Sequence, residues 1–260
     1  MEGCPIELGL RGKTVLVTGS SRGIGLAIAG AFLAEGARVC VTGRDESTLK
    51  RAVRRLARRA PGRVLSFAGD LTNAATIAAC LEQIRRCWRR LDITVANIGS
   101  GQGRPFAATE PSDWDASLRT NLLSGVFLAR QAMALMARGG AFCFISSIAG
   151  VESLPAPVPY IAAKAGVIAA AKALARELAP RRIRVNVVAP GNIFVAGGTW
   201  DRKRRADARG VAAYLETAVP MRRLGTPEEV ASVVVFLCAA PASFVTGACW
   251  IVDGGQTHSH

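Results

Sequence analysis

Short runs of β-branched and other apolar residues alternate along the chain with longer, Ala/Leu-rich segments of helical periodicity. The runs predicted to be strands are Thr14–Thr18, Arg38–Thr42, Val64–Ala68, Ile93–Asn97, Ala141–Ser146, Arg184–Ala189 and Trp250–Val252. The segments predicted to be helices are Gly23–Glu35, Glu46–Arg59, Asn73–Arg86, Asp113–Ala137, Val158–Leu178 and Pro227–Ala239. The strands are apolar on both faces, which is typical of a parallel sheet with helices on both sides.

This alternation predicts an α/β fold of Rossmann type: a doubly wound parallel sheet of about seven strands, with its ligand crevice at the carboxyl ends of the strands. We expect residues 1–260 to form a single dinucleotide-binding and catalytic domain, because no Pro/Gly/Ser-rich stretch divides the sequence. Between Asn192 and Pro220 the alternation lapses into an irregular, Arg-rich insertion, which we interpret as a substrate lid over residues 192–220.

Composition narrows the class of protein. No apolar run is expected to reach the roughly 18 residues that a membrane-spanning helix requires, and Met1–Arg11 lacks the pattern of a secretory signal. The seven cysteines include no Cys-x-x-Cys pair, which indicates reduced thiols. We therefore expect a cytoplasmic protein without a membrane partner. The only histidines, His258 and His260, lie in the terminal tail, so we expect no metal site.

A formal net charge of +14 raises the possibility of a nucleic-acid partner. Arginine supplies most of the positive charge, however, and its side chains are spread over several predicted helix surfaces. No aromatic residues alternate with them to stack on bases. We therefore expect no nucleic-acid partner, while an anionic substrate or an acidic protein partner stays open.

A glycine-rich segment follows the first predicted strand and opens the first helix. Glycines there permit a tight turn and let the backbone approach a phosphate, and the helix N-terminus offers free N–H groups to a pyrophosphate. The cofactor-binding residues predicted in this segment are Gly19, Ser21, Arg22, Gly23, Ile24 and Gly25.

The end of the second strand predicts which nicotinamide cofactor is used. An NAD enzyme usually places an acid there for the ribose 2′-hydroxyl, but this sequence has Gly43 and Arg44, with Asp45 one residue later. Arg44 and Arg22 could bracket a 2′-phosphate, each charge-assisted hydrogen bond contributing about 1.5–3 kcal/mol. The alternative is that Arg44 is an ordinary surface arginine. We predict NADP(H).

Further cofactor contacts are predicted at the ends of the third and fourth strands. Asp70, followed by Leu71, is placed to hydrogen-bond the adenine. Asn97 and Gly99 would let the backbone pack beside the adenine ribose. Because carboxyl ends of parallel strands share one edge of the sheet, these residues are expected to line the same crevice.

The fifth strand is followed by Ser147 and then by Tyr160 and Lys164, which share one helix face at a spacing of i, i+4. In this combination the chain resembles the short-chain dehydrogenase/reductase family over nearly its whole length. The motifs that carry the resemblance are Thr18-Gly-x-x-x-Gly-x-Gly25, Asp70, Asn97-x-Gly99, Asn121, Ser147, Tyr160-x-x-x-Lys164, Pro190-Gly191, Arg223-x-Gly-x-Pro-Glu-Glu229 and Asp253-Gly-Gly255.

The resemblance implies a mechanism for oxidation and reduction of a carbonyl/alcohol pair. Tyr160 would exchange a proton with the substrate oxygen as hydride moves, and Ser147 would hold and polarise that oxygen. Lys164 would hold the nicotinamide ribose and lower the pKa of Tyr160 from about 10 to about 7. Asn121 would position a water that resupplies the proton through Lys164.

The resemblance also places Pro190, Gly191 and Ile193 beside the nicotinamide. Two departures from the family pattern concern the substrate side and the cofactor loop: Asn192 stands where an apolar residue is more common, and Ala96–Gly99 reads Ala-Asn-Ile-Gly instead of Asn-Asn-Ala-Gly. The usual family substrates are therefore not assumed. The lid residues that suggest a partly aromatic pocket are Phe194, Trp200 and Tyr214.

Three hypotheses about function stay open. The first is an NADPH-dependent ketone or β-keto reductase. A variant of it takes the substrate on an acyl carrier protein, because the chain also resembles bacterial β-ketoacyl-carrier-protein reductases and has Arg138 and Arg181 at the expected ends of the fourth and fifth helices. The second, from another class, is a catalytically silent nucleotide-binding protein that acts through protein contacts. The intact set Asn121, Ser147, Tyr160 and Lys164 argues against it. The third is a nucleic-acid role, which would require tight binding that persists at physiological salt.

The resemblance further implies a homo-oligomer, a tetramer or a dimer, built through the fourth and fifth helices. Apolar side chains at helical spacing could form that interface, or could equally face the subunit's own sheet. They are Phe127, Leu128, Ala132 and Met136.

Overall fold

A computed structural model describes residues 7–258. Its strands are β1 (Thr14–Val17), β2 (Arg38–Gly43), β3 (Val64–Ala68), β4 (Leu91–Ala96), β5 (Met136–Ile145), β6 (Arg184–Pro190) and β7 (Cys249–Val252). Its α-helices are α1 (Gly23–Ala34), α2 (Glu46–Arg59), α3 (Ala74–Trp88), α4 (Pro111–Leu118), α5 (Ser124–Ala132), α6 (Val158–Leu178), α7 (Thr199–Ala206), α8 (Ala208–Ala218) and α9 (Pro227–Cys238). A π-helical turn, Arg119–Leu123, joins α4 to α5.

The strands form one parallel sheet in the order β3-β2-β1-β4-β5-β6-β7. Every adjacent pair is parallel, so all strands end at the same edge. The chain reverses its direction of winding between β1 and β4, which leaves a crevice at that point. The predicted doubly wound Rossmann-type fold is confirmed.

Helices cover both faces of the sheet and bury two apolar clusters. One cluster joins the sheet to α1 and α9 through residues such as Phe32 and Val234. The other joins it to α3, α5 and α6 through residues such as Ile84 and Phe142. Each such side chain contributes about 1.5–3 kcal/mol when fully buried, so both layers hold the strand ends in fixed positions.

Two predicted elements differ from those observed. The helix expected over residues 113–137 is interrupted by the π-helical turn and ends at Ala132, because Met136 already pairs with Leu91 as the start of β5. The lid was expected to be irregular, but it contains α7 and α8. The Asp207 carboxylate accepts a hydrogen bond from the Gly210 N–H and so caps α8.

Most of the side chains proposed for a subunit interface lie in this subunit's own core. Leu128, Ala132 and Met136 are buried, with exposed fractions of 2%, 0% and 4%, and belong to the cluster beneath α5. Phe127 packs partly against the same cluster. Of the two arrangements left open by the sequence, packing against the subunit's own sheet is the one observed for the three buried residues.

One stretch among the described residues, Val158–Arg181, is long and apolar enough to cross a membrane by length and composition, with a mean hydropathy of 1.4 over its most apolar window. The expectation that no segment reaches this length was therefore wrong. In the fold, this stretch is α6 and the turn after it; its inner face packs through Val167 and Ala171 against the cluster beneath β6.

Candidate active site

A cleft of about 1180 Å³ runs along the carboxyl edge of the sheet, from the turn after β1 to the lid helices. Most of the predicted site residues line it. They are Gly19, Ser21, Arg22, Gly23, Ile24, Gly25, Arg44, Asp70, Leu71, Asn97, Gly99, Ser147, Tyr160, Pro190, Gly191 and Ile193. Asn121 and Lys164 do not line the cleft but lie behind its wall.

The glycine-rich turn has a shape that side chains would prevent. Gly19 and Gly23 have φ angles of 60° and 57°, in the left-handed region that favours glycine. A Cβ atom on Gly25 would lie 2.5 Å from the Gly19 carbonyl oxygen and 2.5 Å from Asn97 Nδ2. The turn therefore brings bare backbone and the N-terminus of α1 to the cleft, as a pyrophosphate site requires.

Asn97 holds this turn from the end of β4. Its Nδ2 donates to the carbonyl oxygens of Thr18 and Gly19 at 3.0 and 3.1 Å, and its backbone N–H donates to Thr18 Oγ1 at 3.0 Å. Its amide group is thus committed to fixing the loop. The Ile98–Gly99 segment that follows lines the cleft.

The arginines at the end of the cleft have no competing partner. Within the described residues, neither the Arg22 nor the Arg44 guanidinium makes a hydrogen bond or salt bridge, and both are exposed. Asp45 points instead at α2: its carboxylate accepts from the Thr48 N–H at 2.7 Å and from Ser47 Oγ at 2.8 Å. Hydrogen bonds from Thr48 and Ser47 lower its pKa to about 2.

Asp70 and Leu71 close the same end of the cleft. Asp70 is exposed, and its Oδ1 accepts a hydrogen bond from the Thr72 N–H at 3.1 Å. Leu71 is 2% exposed and packs into the core below. One carboxylate oxygen of Asp70 is left to accept a hydrogen bond from a bound base.

Ser147 and Tyr160 meet at the middle of the cleft. Ser147 follows β5, and Tyr160 stands in the first turn of α6. Burial raises the pKa of Tyr160, and a hydrogen bond with Ser147 lowers it by a smaller amount. The expected lowering toward 7 is therefore not what this geometry produces: the net shift is upward.

The surroundings of Lys164 explain why its positive charge does not lower the pKa of Tyr160. The side chain is 4% exposed, and its Nζ donates to the Ile145 carbonyl oxygen at 2.9 Å. It lies 5.8 Å from the centroid of the Tyr160 ring. Burial lowers the pKa of Lys164 to about 8, so burial acts against the charged form of both groups.

Asn121 stands on the π-helical turn, a feature that often occurs at functional sites. Its Oδ1 accepts from the Ser100 N–H at 2.8 Å, and its Nδ2 donates to the carbonyl oxygens of Ser100 and Ser117, both at 3.1 Å. A Cβ atom on Gly99 would lie 3.1 Å from Asn121 Oδ1 and 3.1 Å from Lys164 Nζ. Gly99 thus brings these two buried groups close to one point.

The segment predicted to be a lid lines the other end of the cleft. Trp200 on α7 stacks on Tyr214 of α8 with ring centroids 5.3 Å apart, and Lys203 Nζ lies 4.6 Å from the Trp200 centroid. All three line the cleft. Phe194 instead packs under Arg204, 4.4 Å from its guanidinium carbon, and is not among the cleft-lining residues. Val195 lies over the glycine-rich turn, 3.1 Å from where a Gly23 Cβ would be.

Some site residues were not anticipated from the sequence. Ser100 and Ser117 orient Asn121, and Gln256 lines the cleft beside Tyr214. Ser100 directly follows the Asn97-x-Gly99 motif, and Gln256 directly follows Asp253-Gly-Gly255. Proximity to those motifs was the one available signal. Within residues 7–258, no group of three or more His, Cys, Asp or Glu side chains could hold a metal ion.

Comparisons with known proteins agree with this geometry. A family model described as Enoyl-(Acyl carrier protein) reductase matches residues 19–257. The chain is 36% identical over 254 residues to the 3-oxoacyl-[acyl-carrier-protein] reductase of Aquifex aeolicus, covering 96% of this chain and all of that protein. It is 35% identical to the D-threitol dehydrogenase of Mycolicibacterium smegmatis, covering 95% and 94% of the two chains.

A solved structure gives the same result. The L-sorbose reductase of Gluconobacter frateurii, complexed with NADPH and L-sorbose, superposes with a TM-score of 0.93 at 32% identity, covering 98% of this chain and all of that one. The matches extend over nearly the whole length of each protein. The chain therefore belongs to the short-chain dehydrogenase/reductase family, and the oxidoreductase class predicted from its sequence is confirmed.

Proposed function

We propose that the protein interconverts a carbonyl compound and its alcohol with NADP(H) as the hydride carrier, using Ser147, Tyr160, Lys164 and Asn121. The observation that carries the proposal is that Ser147 and Tyr160 line the same cleft as the glycine-rich turn. A relative that binds NADPH and L-sorbose supports this reaction class.

Tyr160 acts as the proton donor in the reductive direction. Its raised pKa keeps the phenol protonated near neutral pH, which is the form needed to protonate an oxygen that gains negative charge. Ser147 holds the substrate oxygen through its hydroxyl, beside the phenol, and stabilises the developing charge. Oxidation of an alcohol requires the phenolate and is therefore favoured at alkaline pH.

Lys164 and Asn121 form the path that returns the proton. Their polar atoms approach one point beside Gly99, behind the cleft wall. Asn121 is held there by Ser100 and Ser117. This closeness supports a relay in which Lys164 passes a proton toward Tyr160 and an Asn121-bound water resupplies it.

The fit of NADP(H) rests on residues of this chain. The cradle at Gly25 leaves no space for a side chain, which suits a backbone-bound pyrophosphate. Arg22 and Arg44 would hold the 2′-phosphate, because both guanidiniums are unpaired within the described part of the chain and the nearby acid, Asp45, is engaged by α2. Asp70 would bind the adenine.

The proposal also includes the domain organisation that was predicted from the sequence. Residues 1–260 act as one catalytic domain with residues 192–220 as its lid. The cytoplasmic location and the absence of nucleic-acid, membrane and metal partners stay predictions.

The test is loss of reduced-nicotinamide absorbance with NADPH and with NADH, over ketones, β-ketoesters and ketoses. We expect NADPH to be oxidised faster than NADH, and Tyr160→Phe to lower turnover about 10²–10⁴-fold. NADPH binding, measured by fluorescence, serves as the control and should be unchanged. If wild type binds NADPH but oxidises it with none of these substrates, and Tyr160→Phe matches it in every assay, the catalytically silent alternative is supported. An active Tyr160→Phe variant would instead remove Tyr160 from the mechanism.

A second candidate, supported by the carrier-protein reductase relatives, is that the substrate arrives on an acyl carrier protein. Arg138 is exposed and has no partner among the described residues. Arg181 is not free: its guanidinium donates to the carbonyl oxygens of Met133 and Met136. Arg138→Glu should therefore lower turnover of a carrier-bound β-keto substrate and leave turnover of a free one unchanged. If the variant turns over the carrier-bound substrate as fast as wild type does, this candidate is dismissed.

We also propose that the protein is a homo-oligomer, a dimer or a tetramer, through the outer face of α6. Only 33% of the most apolar 18-residue segment of Val158–Arg181 is buried. Exposed alanines follow one another along this helix at helical spacing, including Ala162, Ala165 and Ala169. Covering this face with a second copy would remove it from water. Light scattering during gel filtration tests this, and a monomeric mass would contradict it.

A further inference from the structure

Three side chains from distant parts of the sequence form a polar network at the substrate end of the cleft. Asn192 Nδ2 donates to Gln256 Oε1 at 2.7 Å and to the Tyr214 hydroxyl oxygen at 3.0 Å. Gln256 Nε2 donates to the same hydroxyl oxygen at 2.8 Å. Gln256 is 9% exposed, and all three residues line the cleft.

The network leaves one donor and one acceptor without a protein partner. Both partners of the Tyr214 oxygen are amide N–H donors, which cannot accept a hydrogen bond in return, so the O–H proton of Tyr214 is available to donate. Both hydrogens of Asn192 Nδ2 are used, and Asn192 Oδ1 accepts none. Within residues 7–258, no group pairs with that proton or with Oδ1.

The network lies close to the proposed catalytic residues. Ser147 follows β5, Asn192 follows β6 and Gln256 follows β7, and these are neighbouring strands that end at one edge of the sheet. Adjacent strands lie roughly 4.8 Å apart. A substrate whose reacting oxygen is at Ser147 would therefore extend within a few carbon atoms to Asn192.

We propose that the Asn192–Tyr214–Gln256 network binds a hydroxyl group of the substrate, and that the substrate is a short polyhydroxylated ketone or the matching polyol. A hydroxyl group both accepts and donates, so it pairs with the free Tyr214 proton and the free Asn192 oxygen together. The inference rests on the proposed oxidoreductase function and names the substrate class for the same site.

An alkyl chain would not satisfy the network. It would cover the Tyr214 proton and the Asn192 oxygen without pairing them, and buried polar groups left unpaired are the main means by which a site rejects a substrate that lacks a hydroxyl. The stacked rings of Trp200 and Tyr214 hold the phenol in place for this discrimination. The network thus separates a polyhydroxylated substrate from the aliphatic chain of a fatty acyl group.

The test compares kcat/KM for NADPH oxidation with ketoses of four to six carbons and with alkan-2-ones of the same lengths. Wild type should prefer the ketoses by about 10–100-fold. Tyr214→Phe removes the donor and keeps the ring, so this preference should fall by most of that factor. A series of monohydroxylated alkan-2-ones, each with its hydroxyl at a different carbon, locates the contact. In Tyr214→Phe, only the compound whose hydroxyl the network binds should lose its higher kcat/KM relative to the plain alkan-2-one.

Thr217→Val is the matched control. Thr217 lies on the same helix and is exposed, and among residues 7–258 its hydroxyl donates only to the helix carbonyls of Ala213 and Tyr214. This variant should keep the wild-type preference, and NADPH affinity should be equal in all three proteins.

Two outcomes overturn the inference. One is a wild type that does not prefer the ketoses, and the other is a Tyr214→Phe preference equal to that of wild type, which is also the result when both substrate series lose activity equally. The proposed function fails separately, if no carbonyl of either series gives Tyr160-dependent oxidation of NADPH.

Discussion

The two ends of the cleft are built in different ways. The cofactor end is made mainly of backbone, where Gly19 and Gly25 remove side chains from a turn that Asn97 then holds. The substrate end is made of side chains, and two of its hydrogen-bonded partners, Asn192 and Gln256, are 64 positions apart in the sequence. A binding site made of backbone is visible in the sequence as a local pattern of glycines. A network of side chains that only the fold brings together has no such local sequence pattern.

The largest effect is expected from adding a side chain at the cofactor end, which tests whether bare backbone shapes that end of the cleft. Gly25→Ala would place a Cβ 2.5 Å from the Gly19 carbonyl oxygen, so the turn must deform and NADPH affinity should fall at least about 100-fold, or roughly 2.7 kcal/mol. Titration of NADPH fluorescence measures this.

Gly30→Ala is the matched control on the same helix, because its Cβ would lie 3.7 Å from the nearest atom, Leu56 Cδ2, an ordinary contact. It should bind NADPH normally and be slightly more stable, by up to about 1 kcal/mol. Equal binding by the two variants would show that the backbone of this turn does not shape the cofactor site.

Charge, rather than backbone, is expected to set the choice between the two nicotinamide cofactors. Arg44→Ala should weaken NADPH binding about 10–100-fold and leave NADH binding unchanged, since a charge-assisted hydrogen bond contributes about 1.5–3 kcal/mol. Arg58→Ala removes an exposed arginine from α2, away from the cleft, and provides the control. A loss shared by both cofactors would point to damage of the loop, and no loss would leave Arg44 as an ordinary surface residue.

The pH dependence of reduction sharpens the description of the chemical centre. The raised pKa of Tyr160 keeps its proton in place across neutral pH, and Lys164, with a pKa of about 8, is charged below that pH and loses its proton above it. The reductive kcat/KM should therefore be nearly constant below about pH 7 and fall to roughly a tenth by pH 9. Lys164→Arg, which keeps its charge, should move this decline to higher pH; an identical profile would remove Lys164 from the relay.

The regular part of the fold could be predicted because its strands are buried on both faces and its helices are long. The errors occurred where tertiary pairing overrides local pattern. The helical periodicity of the sequence continues to Ala137, but Met136 pairs with Leu91 and begins β5. For the apolar stripe that includes Leu128 and Ala132, the sequence left two arrangements open, a subunit interface or the subunit's own sheet. The packed structure shows that this stripe faces the sheet.

The pKa values of the site residues were harder to predict from the sequence than which residues line the site. The sequence places Lys164 one turn from Tyr160 and so predicts a lowered phenol pKa, but it contains no measure of burial. With both groups buried and Lys164 Nζ hydrogen-bonded to the Ile145 carbonyl, burial dominates and the pKa of Tyr160 rises. The Asn192–Tyr214–Gln256 network escaped prediction because its members share no segment and no periodicity.

The contact between the lid and the glycine-rich turn has a consequence for the order of events in a catalytic cycle. Val195 lies over Gly23, so the segment that leads into α7 and α8 stands above the same turn that would receive the pyrophosphate. We expect a dinucleotide to need this segment withdrawn before it can enter, and the substrate to need the segment in place before Tyr214 can reach it. Turnover should accordingly follow a compulsory sequence, in which the nucleotide arrives first and departs last.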